Sequence, residues 1–274
     1  MPTYNSGKHL ERCLLSLRAQ TYENWKLYCV DRGSTDGSVD ILTDHAKSWD
    51  KLVVVGGGDE RTSQINIAVR QSRSEYLYYT ASDFFVDPIL LEESVRVCRE
   101  SRADGAWINC VSYGDGFWAR VRNLERSTYF GSEKFEGVRF FRRDAYVRVG
   151  GYDDEVPIFE EYDLQDRLLA SGARIARVLN AAEYHLGEPE KLSEIASKSY
   201  YYGTRYVALL KKQGAPALRH ANPLRSTFLK HWRSFASRPI LTLGFLLMLA
   251  VKYGSGAAGA AVAFVESWMR RPKY

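Results

Sequence analysis

The chain has 274 residues, 45% of them hydrophobic and 13% aromatic, which is too apolar for a disordered protein and long enough for one domain with an appendage. Its net charge of +5 divides unevenly. Residues 1–194 carry 25 basic and 32 acidic side chains (−7), and residues 195–274 carry 13 basic and one acidic (+12). An acidic body with a basic tail argues against a nucleic-acid binder, and no nucleic-acid partner is expected.

The four cysteines, Cys13, Cys29, Cys98 and Cys110, follow no CxxC or Cys/His spacing and read as free thiols in a reducing compartment. The opening MPTYNSGKHLE has no apolar stretch of a secretory signal, so the acidic body is expected in the cytoplasm.

Along the body, strands alternate with helices. Ser6 is placed to cap a helix with Leu10, Cys13, Leu14 and Leu17 at helical spacing. Lys26–Val30 predicts a short buried strand ending on Asp31, followed by the turn RGSTDGS and a helix over Val39–Trp49. Leu52–Val55 predicts a strand ended by Gly56, Gly57 and Gly58; a helix follows over 62–73, then a strand over Tyr76–Thr80. Next come a polar corner at Ser82-Asp83, a helix from Pro88 to about Arg99 and a strand over Ala106–Val111. This alternation predicts an α/β fold with a mostly parallel, doubly wound sheet. Such sheets bind ligands at the carboxyl ends of their strands, which here carry Asp31, Gly56–Asp59 and Ser82-Asp83.

Several motifs stand in a fixed order on this frame. Pro2-Thr3-Tyr4-Asn5-Ser6 is followed by Gln20-Thr21-Tyr22, Val30-Asp31-Arg32-Gly33-Ser34-Thr35-Asp36-Gly37, Asn66, Glu75-Tyr76-Leu77, Ser82-Asp83 and Pro88. Then come Phe140-Phe141-Arg142-Arg143, Gly150-Gly151-Tyr152-Asp153, Glu160-Glu161-Tyr162-Asp163-Leu164 and His185. Over residues 1–187 this set resembles the family-2 inverting glycosyltransferases of the GT-A fold, which move a sugar from a nucleotide diphosphate to an acceptor. The resemblance also implies a hydrophobic inner strand before Pro2, whose place would be filled by upstream chain or by another segment.

The resemblance assigns donor binding to Pro2, Thr3, Tyr4, Asp31, Ser82 and Arg142. Asp31 also reads as a turn cap, and Arg32, where relatives carry an acid, either approaches the diphosphate or is solvated. The family's Asp-x-Asp metal motif stands here as Ala81-Ser82-Asp83. Asp83, with His185, is therefore the expected site for a divalent cation, Mg2+ or Mn2+, although a metal-free site is also compatible. Asp87 reads as a turn residue more than a ligand. The catalytic acids implied are Glu161 as base, with Glu160 and Asp163 beside it raising its pKa by like charge. A phosphate acceptor, already ionised, would need little base, and these acids would then position groups. Acids are also common in a first helical turn for the dipole alone.

The tail has a different character. Residues 192–213 and 224–238 interleave Tyr200, Tyr201, Tyr202, Tyr206, Trp232 and Phe235 with lysines and arginines, as helices at an anionic lipid surface do. Ile240–Val251 and Gly254–Val265 are uncharged apolar runs, flanked by Arg238 and by Arg270-Arg271-Lys273. The expected organisation is a catalytic domain over 1–190, interfacial helices over 191–238 and a membrane segment over 239–274. Read as one helix that segment would put Lys252 near the bilayer centre, so a hairpin broken at Gly254-Ser255-Gly256 is preferred. Together these readings predict a membrane-associated hexosyltransferase with its catalytic domain on the cytoplasmic side. Its partners would be a nucleotide-diphosphate sugar, membrane lipids and a lipid-linked acceptor, polyprenyl or dolichyl phosphate or a glycan built on one. The alternatives are a polysaccharide-building transferase that uses the tail as anchor only, and a nucleotide-sugar-binding subunit without turnover.

Overall fold

The computed structural model describes residues 1–156, 158–214, 222 and 225–269, which form two compact units. The first comprises residues 1–111, 131–155 and 160–187; the second comprises 112–130, 156–159 and 188–274. Arg270-Arg271-Lys273 lies outside the described residues.

In the first unit, β1 (Pro2–Thr3), β2 (Leu27–Asp31) and β3 (Leu52–Gly56) form a parallel sheet in the order β1-β2-β3. Their partners are Thr3 with Asp31 and Asp31 with Gly56, so all three strands end together. A second sheet has the order β4-β7-β6-β8-β5, from β4 (Tyr76–Tyr78), β5 (Phe84–Val86), β6 (Gly105–Ser112), β7 (Val138–Arg142) and β8 (Ile175–His185). Here β4 with β7, β6 with β7 and β5 with β8 pair antiparallel, while the starts of β6 and β8 lie side by side through Asp104 N and the Arg174 carbonyl (2.7 Å), so the second sheet is mixed. Parallel pairing needs a crossover of a dozen residues or more, and the β-helix-β repeat that supplies it weakens after β4.

The sheets are covered on both faces. On one side lie α1 (Gly7–Arg18), α2 (Ser38–Ser48) and α4 (Leu90–Ser101), whose Leu10, Leu14, Leu17, Leu42, Leu90 and Cys98 join Cys29, Ile108 and Phe140 in one core. On the other, α3 (Arg61–Gln71), α6 (Arg143–Arg148) and α7 (Glu160–Ala170) bring Ile65, Tyr146, Leu164 and Leu168 against Trp107 and Phe141. Phe140 and Phe141 thus enter opposite cores, as the two-residue period of a strand requires. Cys13, Cys29, Cys98 and Cys110 form no disulfide.

β1 is an edge strand of the first sheet and β4 an edge strand of the second. A cleft of about 100 Å³ is lined by Met1, Tyr28, Ile65, Val69, Tyr76 and Leu77 among others. The backbone nitrogen of Met1 donates to the Tyr28 carbonyl across 2.7 Å.

The second unit is helical, built of α5 (Phe117–Ser127), α8 (Leu192–Gln213), α9 (Ser226–Lys230), α10 (Trp232–Ala236) and α11 (Pro239–Met269). Its core joins Val121 and Leu124 to Ile195, Phe235, Phe245 and Met248. The hairpin expected over 239–274 does not form: α11 runs unbroken through Gly254-Ser255-Gly256. The small residues that suggested a turn instead seat a neighbouring helix. A side chain at Gly203 of α8 would strike the Gly256 carbonyl, and one at Gly259 would strike the Tyr200 carbonyl. Close backbone approach of two helices needs glycine at such points.

Candidate active site

The carboxyl ends of β1 and β2 feed two loops that are laced together. The Asn5 backbone N–H donates to Ser34 Oγ (2.9 Å), and Asn5 Oδ1 accepts from Thr35 N (2.9 Å). Asp36 Oδ2 accepts from Gly7 N and Oδ1 from Ser38 N, so one carboxylate caps the starts of both α1 and α2. The expected cap, Ser6, makes no capping bond from its side chain; its Oγ instead accepts from Ser82 Oγ at 2.7 Å, tying the corner after β4 to the first loop.

Asp31 lies buried at the end of β2. Its Oδ1 accepts from the amides of Gly33 and Ser34 at 2.8 Å each, and its Oδ2 from Ser34 Oγ at 2.6 Å. Burial pushes its carboxyl up, but these bonds and one from Thr3 outweigh burial and hold it below the usual 3.8. The turn-cap geometry is therefore present, whatever else Asp31 contacts. Gln64 completes the shelf by donating to the carbonyls of Thr3 and Val30 (2.9 and 2.6 Å). Tyr4 is half exposed, and the Arg32 guanidinium lies 3.9 Å over its ring while donating to the Asp59 carbonyl. Arg32 thus lies along the shelf as an exposed residue.

After β4, Asp83 meets His185 at the end of β8: Oδ2 and Nε2 are 3.2 Å apart. Phe84 packs edge-on against the imidazole, and Gly187 leaves room for the carboxylate, since a Cβ there would lie 2.5 Å from Asp83 Oδ2. A divalent cation fits this pair. Mg2+ and Mn2+ take one or two protein ligands and fill the remainder with water and phosphate oxygens, so the absence of a larger His/Cys/Asp/Glu cluster among the described residues does not oppose it. Asp87 is engaged elsewhere, accepting from Ala182 N at 2.8 Å.

The acids of α7 separate into three environments. Glu160 is buried and paired with Arg61 of α3. Burial pushes its carboxyl above the usual range, with Arg61 opposing and Glu161 adding to the rise. Glu161 instead faces an opposite charge, Arg139 on β7, whose Nη2 donates to its Oε1 at 3.1 Å. Gly137 makes the space, since a Cβ there would come within 2.8 Å of Glu161 Oε2. Asp163 is committed to Arg167, one turn on, through two bonds of 2.9 and 2.6 Å. Like charge therefore dominates less than the sequence suggested, because each acid has its own arginine.

Arg142 departs most from expectation. It lies at the far end of β7, paired in register with Tyr76 at the start of β4, and its guanidinium bonds Asp144 at 2.9 Å. The shelf and the Ser82-Asp83 corner lie beyond the other end of β4. Arg142 is thus not brought to the donor side, because β7 runs antiparallel to β4.

The residue of β7 that does reach the site is Arg139. Buried between Tyr79 and Phe84, it lies 3.2 Å from Glu183 Oε1 on β8 in addition to Glu161. Burial disfavours its charge, yet the two carboxylates outweigh that and keep it cationic. Tyr78 donates to Glu183 from β4 at 2.9 Å. Glu183 and His185 stand two residues apart on one strand, and so on one face. Through them the Asp83–His185 pair and the Arg139–Glu161 pair are anchored on a single strand.

A family model, Glycosyl transferase family 2, matches residues 1–152, more than half of the sequence. The chain belongs to that family. Among curated family-2 relatives, it is 33% identical over 113 residues to the poly(ribitol-phosphate) beta-glucosyltransferase of Bacillus spizizenii, covering 38% of this chain and 17% of that one. It is 22% identical over 247 residues to the PGL/p-HBAD biosynthesis glycosyltransferase of Mycobacterium tuberculosis, covering 85% and 95%. The chain spans under a third of the length of the poly(ribitol-phosphate) enzyme and of the Escherichia coli chondroitin synthase, of which 26% is matched. Among solved structures, the fold resembles the mannosyltransferase PcManGT from Pyrobaculum calidifontis in complex with GDP-Man and Mn2+, with a TM-score of 0.60 at 16% identity over 99% of this chain and 74% of that one. It also resembles S. aureus TarS 1-349 in complex with UDP-GlcNAc, with a TM-score of 0.54 at 16% identity over 80% and 67%. Both likenesses bear on the GT-A fold alone.

Proposed function

We propose that this family-2 protein is a membrane-associated inverting glycosyltransferase that moves a hexose from a nucleotide-diphosphate sugar to a lipid-linked acceptor on the cytoplasmic side of a bilayer. The observation that carries the reading is the strand β8, which holds His185 against Asp83 and, through Glu183 and Arg139, fixes Glu161. One end of such a site suits the donor and the other the acceptor.

The shelf of Pro2, Thr3, Tyr4 and Asp31 would receive the nucleoside, with Ser82 beside it. Asp83 and His185 would hold a divalent cation, which would neutralise the diphosphate as it leaves. Glu161 would take the acceptor proton while Arg139 keeps its carboxylate in place. An acceptor hydroxyl suits this arrangement, because a phosphate is already ionised and needs no base. Glu160, buried on Arg61, and Asp163, held by Arg167, would orient the helix start without touching substrate. The lipid-linked character of the acceptor rests on the exposed apolar helix α11 and is supported by the relative named for PGL biosynthesis, whose length this chain nearly spans.

The test is release of nucleotide diphosphate from a panel of nucleotide sugars, with and without Mn2+, in the presence of a lipid-linked glycan that offers a free hydroxyl as acceptor. The expected outcome is turnover with one donor class, a fall of about 10²-fold or more in Glu161→Gln, and loss of Mn2+ stimulation in Asp83→Ala. Donor binding without turnover by the unaltered protein would favour a binding subunit and refute the proposal.

A further inference from the structure

The exposed face of α11 is a continuous apolar stripe. Ile240, Leu243, Leu247, Phe264, Val265 and Trp268 are all exposed, Ile240 at 72% and Trp268 at 65%, and they recur at helical spacing over most of the helix. At 1.5 Å per residue the 31-residue helix is about 46 Å long. Neither of its two charged residues, Lys252 or Glu266, falls within the arc that these six define at 100° per residue.

The opposite face is occupied. Lys252 lies 3.5 Å from Glu125 of α5, which also pairs with Arg122 and accepts from Tyr129. Gly244 sits against Phe117 and Val121 of α5, and Gly256 and Gly259 seat α8. A bilayer-spanning α11 would carry α5 and α8 into hydrocarbon, with Arg122, Glu125, Lys198 and Arg205, or would be stripped from them and expose Lys252. Either course buries charge in lipid at a cost of kilocalories per group.

We propose that α11 inserts sideways into one leaflet of an anionic membrane, its stripe in the acyl boundary and its other face still packed on α5 and α8. This rests on the membrane reading above but adds the mode of attachment. Charge complementarity selects the occupant. The short helices just before α11 and the connection to it expose Lys230, Arg233 and Arg238 beside exposed Leu229 and Trp232, and residues 195–265 contain no acid. An acidic lipid surface satisfies cations and apolar stripe together, in the manner of interfacial helices.

Flotation with vesicles, without donor or acceptor, tests this apart from sugar transfer. The chain should float with phosphatidylcholine–phosphatidylglycerol vesicles and far less with phosphatidylcholine alone. Lys230→Gln/Arg233→Gln/Arg238→Gln should weaken partitioning by about a hundredfold at about 1 kcal/mol per charge. Leu243→Ser/Leu247→Ser should weaken it by about tenfold or more, with helix content unchanged since both positions are exposed. Environment-sensitive labels on cysteines introduced at Leu243, Gly254 and Val262, read by lipids quenching at set depths, should all report the same shallow depth. Gly254 deep in the bilayer with the others shallow would establish a span and overturn the proposal. So would binding that ignores both sets of substitutions, or a soluble dimer that buries the stripe and does not float.

Discussion

Glu161 and Arg139 show how a carboxylate can be kept available in a half-buried site. The acid needs a fixed position, and a buried guanidinium shared with Glu183 gives it one. Sequence reading found Glu161 through its motif but passed over Arg139 and Glu183, each of which was only context for a neighbour. The strand period was a usable signal, since Glu183 shares a face with His185. The partner across the sheet was not, because antiparallel register joins residues far apart in the chain. Asp31, read as both donor ligand and turn cap, makes three hydrogen bonds that staple its own turn, which leaves the donor role a proposal. Its pKa is depressed, so its contribution to stability is present above the usual 3.8 and is lost as pH falls through the folded value. Asp31→Asn should therefore cost about 2 kcal/mol at neutral pH and flatten the acid limb below about pH 4, measured by urea unfolding across pH.

At the scale of elements, most of the first unit was readable. The helices α1 to α4 and the strands β2, β3, β4 and β6 appear within two or three residues of their predicted bounds, because their apolar residues repeat at clear spacing and their turns are rich in Gly, Ser and Asp. The antiparallel β7 and β8 were harder, as was their consequence for Arg142: direction of a strand is a tertiary property. The tail was misread as a hairpin because a single helix would put Lys252 near the bilayer centre and Gly254-Ser255-Gly256 offered a place to break it. Within α11 glycine costs helix propensity, but at Gly259 it permits contact with α8. Gly259→Leu should lower stability by about 2 kcal/mol or more by forcing the two backbones apart. Gly254→Ala, at a position with nothing within 4 Å, should be neutral or gain up to about 1 kcal/mol. Thermal unfolding of the two variants checks the pair; equal effects would mean that the two helices do not pack as described.

On the scale of the whole molecule, the charge division observed at the outset has a structural counterpart. The acidic residues concentrate in the α/β unit, and the basic, apolar stretch forms most of the helical one. In the proposed function a soluble donor and a membrane acceptor would place opposite demands on a surface, which two units of unlike charge would meet separately. The most direct measurement supplies the unaltered protein with phosphatidylcholine–phosphatidylglycerol vesicles, a panel of nucleotide sugars and Mn2+. The vesicles carry either a lipid-linked glycan with a free hydroxyl or polyprenyl phosphate, and both nucleotide release and sugar on lipid are followed. The account predicts transfer to the lipid-linked hydroxyl, reduced about 10²-fold or more in Glu161→Gln. Transfer to polyprenyl phosphate that is indifferent to Glu161→Gln, or release of nucleotide with no sugar reaching lipid, would contradict it.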